Sequence, residues 1–230
     1  MKITFSAIDD HTWEVKEKPR PASEFMPDWW KQMAPFSGEK FDLNPYPNVT
    51  AKKCFPLLDG ITAGYIVPLW ADIFVTRNSD GTPFVKWAVA TPVLDAWNHD
   101  ASAGYEIPDG FSKTVFKNLH HWIIKTPKNY SCLITHPIGF PNLPFRTLTG
   151  VVDTDKLKTD ANAPLVIKDE FEGIIPRGTP MFQVIPFCRE NWNASYEKEK
   201  TNEYFFNVEK LASRVLSSYG RELRVKKEYK

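Results

Sequence analysis

The stretch that decides the fold runs from Leu148 to Glu190 and reads LTGVVDTDKLKTDANAPLVIKDEFEGIIPRGTPMFQVIPFCRE. Two apolar runs, Gly150-Val151-Val152 and Met181 to Phe187, flank an acidic turn and a Pro-Arg-Gly corner. Short apolar runs that are bounded by turn residues are typical of β-strands. The stretch therefore predicts two strands of one compact all-β unit.

Further strand patterns lie upstream of this stretch. Ile66 to Thr76 is apolar on both faces and predicts one continuous central strand. The tetrapeptide Asn78-Ser79-Asp80-Gly81 then predicts a hairpin turn, after which Phe84 to Ala90 returns. Tyr130 to Thr135 predicts another strand of the same core. The core is expected to span residues 60–190.

The segments outside this core have other patterns. Lys2 to Ile8 and Trp13 to Lys16 predict two strands, and Asp28 is expected to cap a short helix that carries two tryptophans. Beyond Arg189, apolar residues recur at near-helical spacing and predict one amphipathic helix. Its apolar stripe comprises Phe206, Val208, Leu211, Val215 and Tyr219. We expect one domain of 230 residues, with an N-terminal arm at 1–59 and a C-terminal helix and tail at 191–230.

Three segments of the core resemble, in order, a series found in trimeric dUTP diphosphatases and the related dCTP deaminases. They are Ala63-Gly64-Tyr65, the proline-led strand at Thr126-Pro127, and Gly150-Val151-Val152-Asp153 followed by Gly178 and Gln183. The resemblance implies a β-clip or distorted barrel-like core. It implies that Asp153 activates water, that Gln183 takes part in the ligand site, and that the protein forms a homo-oligomer.

The chain departs from that family's pattern at its chemical positions. His136-Pro137-Ile138-Gly139 lies where the family carries an Arg-Ser-Gly segment that holds phosphates. Lys156 follows Asp155, where the family has a tyrosine that stacks on the base. The resemblance therefore supports the fold more than the activity.

The whole chain also resembles a group of uncharacterised proteins of tailed phages and some bacteria, which has no assigned activity. Pro27-Asp28-Trp29-Trp30 and Gly178-Thr179-Pro180 carry this likeness, together with Tyr130-Ser131-Cys132. It implies a phage protein whose partners are copies of itself or other phage or host proteins.

Few residues offer chemistry by their type and spacing. Asp153 and Asp155 share one face if their turn is extended, and could bind a divalent ion or orient water. Acidic turn residues more often accept hydrogen bonds from their own backbone. His120 and His121 point to opposite faces of a strand, so they do not predict a metal site. The tryptophans could stack on bases or sugars, but packing is the favoured interpretation, since no basic groove accompanies them.

The composition of the chain limits the kinds of partner and the cellular compartment that we expect. Lys plus Arg numbers 29 against 28 Asp plus Glu, so no overall field attracts nucleic acid. The three cysteines are far apart and predict free buried thiols in a reducing compartment. No secretory signal or membrane-length apolar run is seen. We expect a soluble protein in the cytoplasm of a host cell, or one associated with the virion.

Two functions remain open at this point. The first is a non-catalytic binding or assembly protein of phage type on a scaffold like that of the dUTP diphosphatases. The alternative is a nucleotide-processing enzyme, a hydrolase or deaminase acting on dUTP or dCTP. In that case Asp153 activates water, and Tyr130 or Trp97 lies near the base. No cofactor is expected, and Mg²⁺ only if the protein is such an enzyme.

Overall fold

The computed structural model describes residues 1–37, 49–97, 104–198, 200–213 and 219–230. Within these residues the chain forms fourteen strands in four antiparallel sheets. The strands are β1 Thr4–Ala7, β2 Arg20–Pro21, β3 Tyr65–Pro68, β4 Ile73–Arg77, β5 Pro83–Lys86, β6 Leu94–Ala96, β7 Phe111–Asn118, β8 Trp122–Lys125, β9 Tyr130–Thr135, β10 Phe145–Thr147, β11 Gly150–Val152, β12 Ala163–Lys168, β13 Gly173–Ile175 and β14 Pro180–Cys188. The prediction of a mainly β protein is confirmed.

Helices are few in the described residues. The α-helices are α1 Asp10–Glu14, α2 Asp28–Gln32, α3 Phe55–Ile61 and α4 Thr201–Ser213. Short 3₁₀ turns occur at Ala22–Phe25 and Ala51–Lys53, and a π-helical turn at Tyr219–Leu223. None of the described helices has the length and apolarity that crossing a bilayer requires.

The largest sheet has the strand order β11-β9-β14-β3-β2. Its central strand, β14, pairs along its length with β9, from Gln183 opposite Thr135 to Cys188 opposite Tyr130. On its other side β14 pairs with β3. The two strands predicted around the acidic turn, β11 and β14, therefore belong to one sheet, as expected.

The three smaller sheets complete the β structure. Their orders are β10-β12-β7-β6, β13-β4-β5 and β1-β8. Apolar side chains from all four sheets form the core, among them Val75, Ile124, Phe145, Ile167 and Phe182, each almost fully buried. Burying such side chains stabilises the fold by about 1.5–3 kcal/mol each.

Two predicted strands are corrected by the structure. Trp13 lies in α1, because the Asp9 carboxylate accepts a hydrogen bond from Thr12 N at 2.7 Å and caps a helix there. Ile66 to Thr76 is divided into β3 and β4 by a bend. The predicted hairpin between β4 and β5 is confirmed, with Gly81 N donating to Asn78 O at 2.9 Å.

The predicted C-terminal helix is present as α4, and two residues of its predicted apolar stripe are exposed. It begins at Thr201, before the predicted stripe, and Phe206 and Val208 are exposed on it. Val215 lies outside the described residues. The chain then returns to the body of the protein, where Arg224 and Lys227 both contact Asp59 of α3.

Candidate functional site

The acidic turn after β11 lies beside the start of β9 and the end of β14. Val152 is opposite Cys132, and Tyr130 is opposite Cys188, so the register brings the ends of the three strands together. Lys156 N and Leu157 N both donate to Asp153 O at 2.9 Å, which fixes the turn.

Arg189, the first residue after β14, joins the two carboxylates of this turn. Its Nη1 donates to Asp153 Oδ1 at 3.0 Å and to Asp155 Oδ1 at 2.8 Å. Its Nη2 donates to Asp155 Oδ2 at 2.5 Å. Ser131 Oγ donates to Asp153 Oδ1 at 2.7 Å, and Asn129 N donates to Asp155 Oδ2 at 2.9 Å. These hydrogen bonds join the acidic turn, the turn at Asn129, the start of β9 and the end of β14 in one polar cluster.

The cluster keeps both carboxylates ionised. Hydrogen bonds from Arg189 lower the pKa of Asp155 to about 2, and the side chain of Asp155 is only 6% exposed. The hydrogen bond from Ser131 and then that from Arg189 lower the pKa of Asp153, whose side chain is 54% exposed. A carboxylate held in this way is a weak base at neutral pH, because its proton affinity is reduced.

Tyr130 lies next to this cluster and lines a cavity of about 230 Å³. Tyrosines and prolines make up half of its lining residues, and the others include the charged side chains of Lys2 and Glu228. Burial raises the pKa of the Tyr130 phenol, which stays protonated at neutral pH. Of the predicted site residues, Tyr130 and Asp153 are linked through Arg189, whose Nη1 donates to the Tyr130 carbonyl at 3.4 Å and to Asp153 Oδ1 at 3.0 Å, but Asp153 does not line the cavity.

The C-terminal segment closes one side of this cavity. Arg224 Nη2 donates to Asp59 Oδ1 at 2.6 Å, and Lys227 Nζ to Asp59 Oδ2 at 2.9 Å. Tyr65 Oη donates to Lys230 O at 3.2 Å, and the Tyr65 and Tyr229 rings pack edge to face at 5.9 Å. This contact was not predicted, since isolated charges 165 residues apart carry no local sequence signal.

Gln183 lies at a different point of β14 and is fully buried. Its Oε1 accepts from Ile138 N at 2.9 Å, and its Nε2 donates to Ala63 O at 2.6 Å and to Gly60 O at 3.2 Å. Five residues of strand, roughly 17 Å, separate Gln183 from Cys188 beside the Arg189 cluster. Its amide joins the end of α3, at Gly60 and Ala63, to the backbone at Ile138.

The segment that replaces the family's phosphate-holding motif is itself packed. Ile138 N is engaged by Gln183, and the Gly139 carbonyl accepts from Trp29 Nε1 at 2.6 Å. A Cβ added at Gly139 would lie 3.1 Å from the Ile61 side chain, so α3 covers this backbone closely. The Ile138 N–H and the Gly139 carbonyl are therefore already hydrogen-bonded to other parts of the protein.

Trp97 is not brought to Tyr130 and Asp153. It follows β6 in the four-stranded sheet, and its backbone N donates to Val115 O at 2.8 Å. Tyr130 and Asp153 lie at the end of the five-stranded sheet. The chain after Trp97, residues 98–103, lies outside the described residues.

The histidines serve the fold where the structure describes them. Trp122 N donates to His120 Nδ1 at 3.1 Å, so His120 Nε2 carries the proton that is donated to Ala161 O at 2.8 Å. Burial lowers the pKa of His120, which keeps it neutral. His121 has a positive φ of 58° and lies in the turn between β7 and β8. No group of three potential metal ligands converges among the described residues.

The residues that the sequence analysis missed are Arg189 and Ser131. Ser131 is the second residue of β9 and Arg189 directly follows β14, and a basic residue at that position was the available signal. Comparison with known proteins adds no family. No protein-family model matches the chain, and no curated protein matches it in a sequence search.

Proposed function

We propose that this protein is a non-catalytic binding or assembly protein of phage type, built on a β-clip scaffold like that of the dUTP diphosphatases. The observation that carries the proposal is the closed backbone at residues 137–139. The resemblance puts phosphate binding there, and phosphate recognition requires backbone N–H groups or cationic side chains that face the ligand. Here Gln183 accepts the Ile138 N–H, and the neighbouring side chains are Trp29 and Ile61.

The state of Asp153 supports the same proposal. A catalytic base has to take a proton from water near neutral pH. The Asp153 carboxylate accepts from Ser131 and Arg189, and both hydrogen bonds favour its unprotonated form. Arg189 connects it to Asp155 and so to the end of β14, which is a structural use of the carboxylate.

The strand order supports the β-clip part of the proposal. In the five-stranded sheet, β11 with the acidic turn lies beside β9, and β14 with Gln183 lies between β9 and β3. The three segments that carry the resemblance therefore occupy neighbouring strands. A homo-oligomer, with phage or host proteins as partners in the host cytoplasm or the virion, is part of this proposal.

The alternative, an enzyme acting on dUTP or dCTP, has one observation in its favour. The side chain of Asp153 is 54% exposed, and Arg189, which binds it, also donates to the backbone carbonyl of Tyr130 at 3.4 Å. Under this alternative Mg²⁺ and a nucleotide would bind at Asp153.

Turnover decides between the two proposals. Purified protein is incubated with dUTP or dCTP and Mg²⁺, and release of pyrophosphate and of ammonia is measured. The binding or assembly proposal expects no release above a protein-free control. Turnover that is abolished by Asp153→Asn, in a variant with unchanged melting, would overturn it and establish the enzyme. The matched control Asp95→Asn alters an exposed carboxylate of β6, outside the cluster.

A further inference from the structure

The turn between β7 and β8 is built around a buried histidine. His120 is 2% exposed, and its ring packs against the ring of Phe182 on β14, with the two centroids 5.1 Å apart. Both ring nitrogens are used, because Nδ1 accepts from Trp122 N at 3.1 Å and Nε2 donates to Ala161 O at 2.8 Å. The site therefore fits the neutral ring with its proton on Nε2.

A second proton cannot be accommodated on this ring in place. The protonated ring carries a hydrogen on both nitrogens, so two N–H groups would face each other between Nδ1 and Trp122 N, in an apolar site. Burial accordingly lowers the pKa of His120, against the opposing charge of Asp160. The charge of His121 also disfavours protonation, and β14 presents the uncharged ring of Phe182.

The same turn holds the β1–β8 sheet on the body of the protein. β8 pairs with β1 and with no other described strand, and Ile8 N, directly after β1, donates to His121 O at 3.2 Å. His121 has φ 58°, which costs free energy in most residues other than glycine, so the closed turn stores strain. Trp122 and Ile124 of β8 are buried, and this burial keeps the turn closed at neutral pH.

We propose that His120 is a pH-sensitive switch, whose protonation opens the turn at residues 119–122 and loosens the β1–β8 sheet while the five-stranded sheet stays intact. Opening lets water solvate the imidazolium and relieves the strain at His121. The five-stranded sheet resists, because β14 is paired on both of its sides. This inference goes beyond the proposed function and does not depend on it.

The β1–β8 sheet also connects the turn to the cavity that Tyr130 lines. Residues 1–3, which precede β1, and residues 126–127, which follow β8, are among the lining residues of that cavity. Loosening the sheet therefore disturbs one wall of the cavity, and the switch links acid pH to the shape of this site.

The direction of the pH dependence follows from proton uptake. In the open turn His120 titrates with the ordinary pKa of 6.5, whereas burial lowers its pKa in the closed turn. Above this value neither form is protonated at His120, so the open fraction is constant. Below it the open fraction rises by about tenfold for each pH unit, until the closed form is protonated as well.

Hydrogen exchange on the full chain, measured by mass spectrometry at about pH 7.5 and about pH 5, tests the switch. The rates are corrected for the intrinsic pH dependence of amide exchange. We expect the protected amides of β1 and β8 to exchange at least about tenfold faster at the lower pH, whereas those of β9 and β14 change by less than about twofold.

Two variants assign the effect to one histidine. His120→Gln keeps a donor and an acceptor but takes up no proton in this range, so it should abolish the pH dependence at β1 and β8. The matched control His11→Gln makes the same change at an exposed histidine and should keep it. If His120→Gln does not fold, the ring resonances of wild-type His120 decide, and they should report the neutral ring at about pH 6.

Unchanged exchange in β1 and β8 at the lower pH overturns the inference. Equal acceleration in all four strands does so too, because it shows that the whole fold is destabilised. A pH effect that persists in folded His120→Gln, or that disappears in His11→Gln, assigns the proton to another group and also overturns it. So does a wild-type His120 ring that is charged while β1 and β8 remain protected.

Discussion

Replacing Gln183 by methionine tests the central junction of the fold. Methionine keeps the length and approximate volume of glutamine but makes none of its three hydrogen bonds, to Ile138 N, Ala63 O and Gly60 O. Each such bond contributes about 0.5–1.5 kcal/mol net. We therefore expect Gln183→Met to lower the free energy of unfolding by about 3 kcal/mol, which corresponds to a fall of roughly 6–12 °C in Tm.

Urea unfolding followed by tryptophan fluorescence measures this loss. The matched control is Gln32→Met, the same chemical change on the exposed surface of α2, which is expected to stay within about 0.5 kcal/mol of the wild type. A loss below about 1 kcal/mol at Gln183, with an unchanged dependence on urea, would refute the reasoning. It would mean that water replaces the lost hydrogen bonds in the variant. The wild-type amide would then be available for a role other than stabilising the fold.

The remaining predictions concern the polar cluster and two glycines with positive φ. The pKa of Asp155 falls from 3.8 to about 2 on folding, so its contact with Arg189 stabilises the protein above about pH 4 and this contribution is lost as the pH falls toward 2. The stability difference between wild type and Arg189→Met, measured by urea unfolding, should therefore be smaller at pH 3 than at pH 6, and a constant difference would contradict this origin. Gly64 has φ 65°, and an added Cβ would lie 2.0 Å from Val184 O, so Gly64→Ala should cost more than about 4 kcal/mol. Gly81→Ala, at φ 80° with open space around it, should cost only about 1–2 kcal/mol by thermal melting, and equal losses at the two glycines would argue against the close approach of β3 and β14.

The local β signals of the sequence were sufficient for the strands that pair within the core. The apolar runs at Gly150 and Met181 and the Asn78 turn each contain their own boundaries, because turn residues and alternation act over a few positions. These elements appear as β11, β14 and the hairpin of β4 and β5.

The errors arose where a distant partner determines the backbone. The bend between β3 and β4 is held by Leu69 N donating to Thr179 O at 2.8 Å and by Asp72 accepting from Arg177 N at 2.7 Å. Nothing within Ile66 to Thr76 signals a partner about a hundred residues away. At Trp13 the local signal was present, since Asp9 is a favourable helix cap, but alternation was given more weight.

The candidate site was predictable only in part. The acidic turn and Tyr130 were named from the sequence, but their meaning depends on Arg189, which only the pairing of β9 and β14 brings to them. The prediction of three buried thiols was right for Cys132, whereas Cys54 and Cys188 are exposed. Both lie outside the regular interior of a strand, where alternation predicts burial poorly.

The position of β14 has a mechanical consequence. It is the central strand of the five-stranded sheet, and it leads directly through Arg189 into residues 190–198. Tension applied to residues 190–198 along the strand axis would load the hydrogen bonds of β14 to β3 and β9 in shear, all at once, instead of opening them one after another. The guanidinium of Arg189, bound to two carboxylates, is the first contact to resist such a pull.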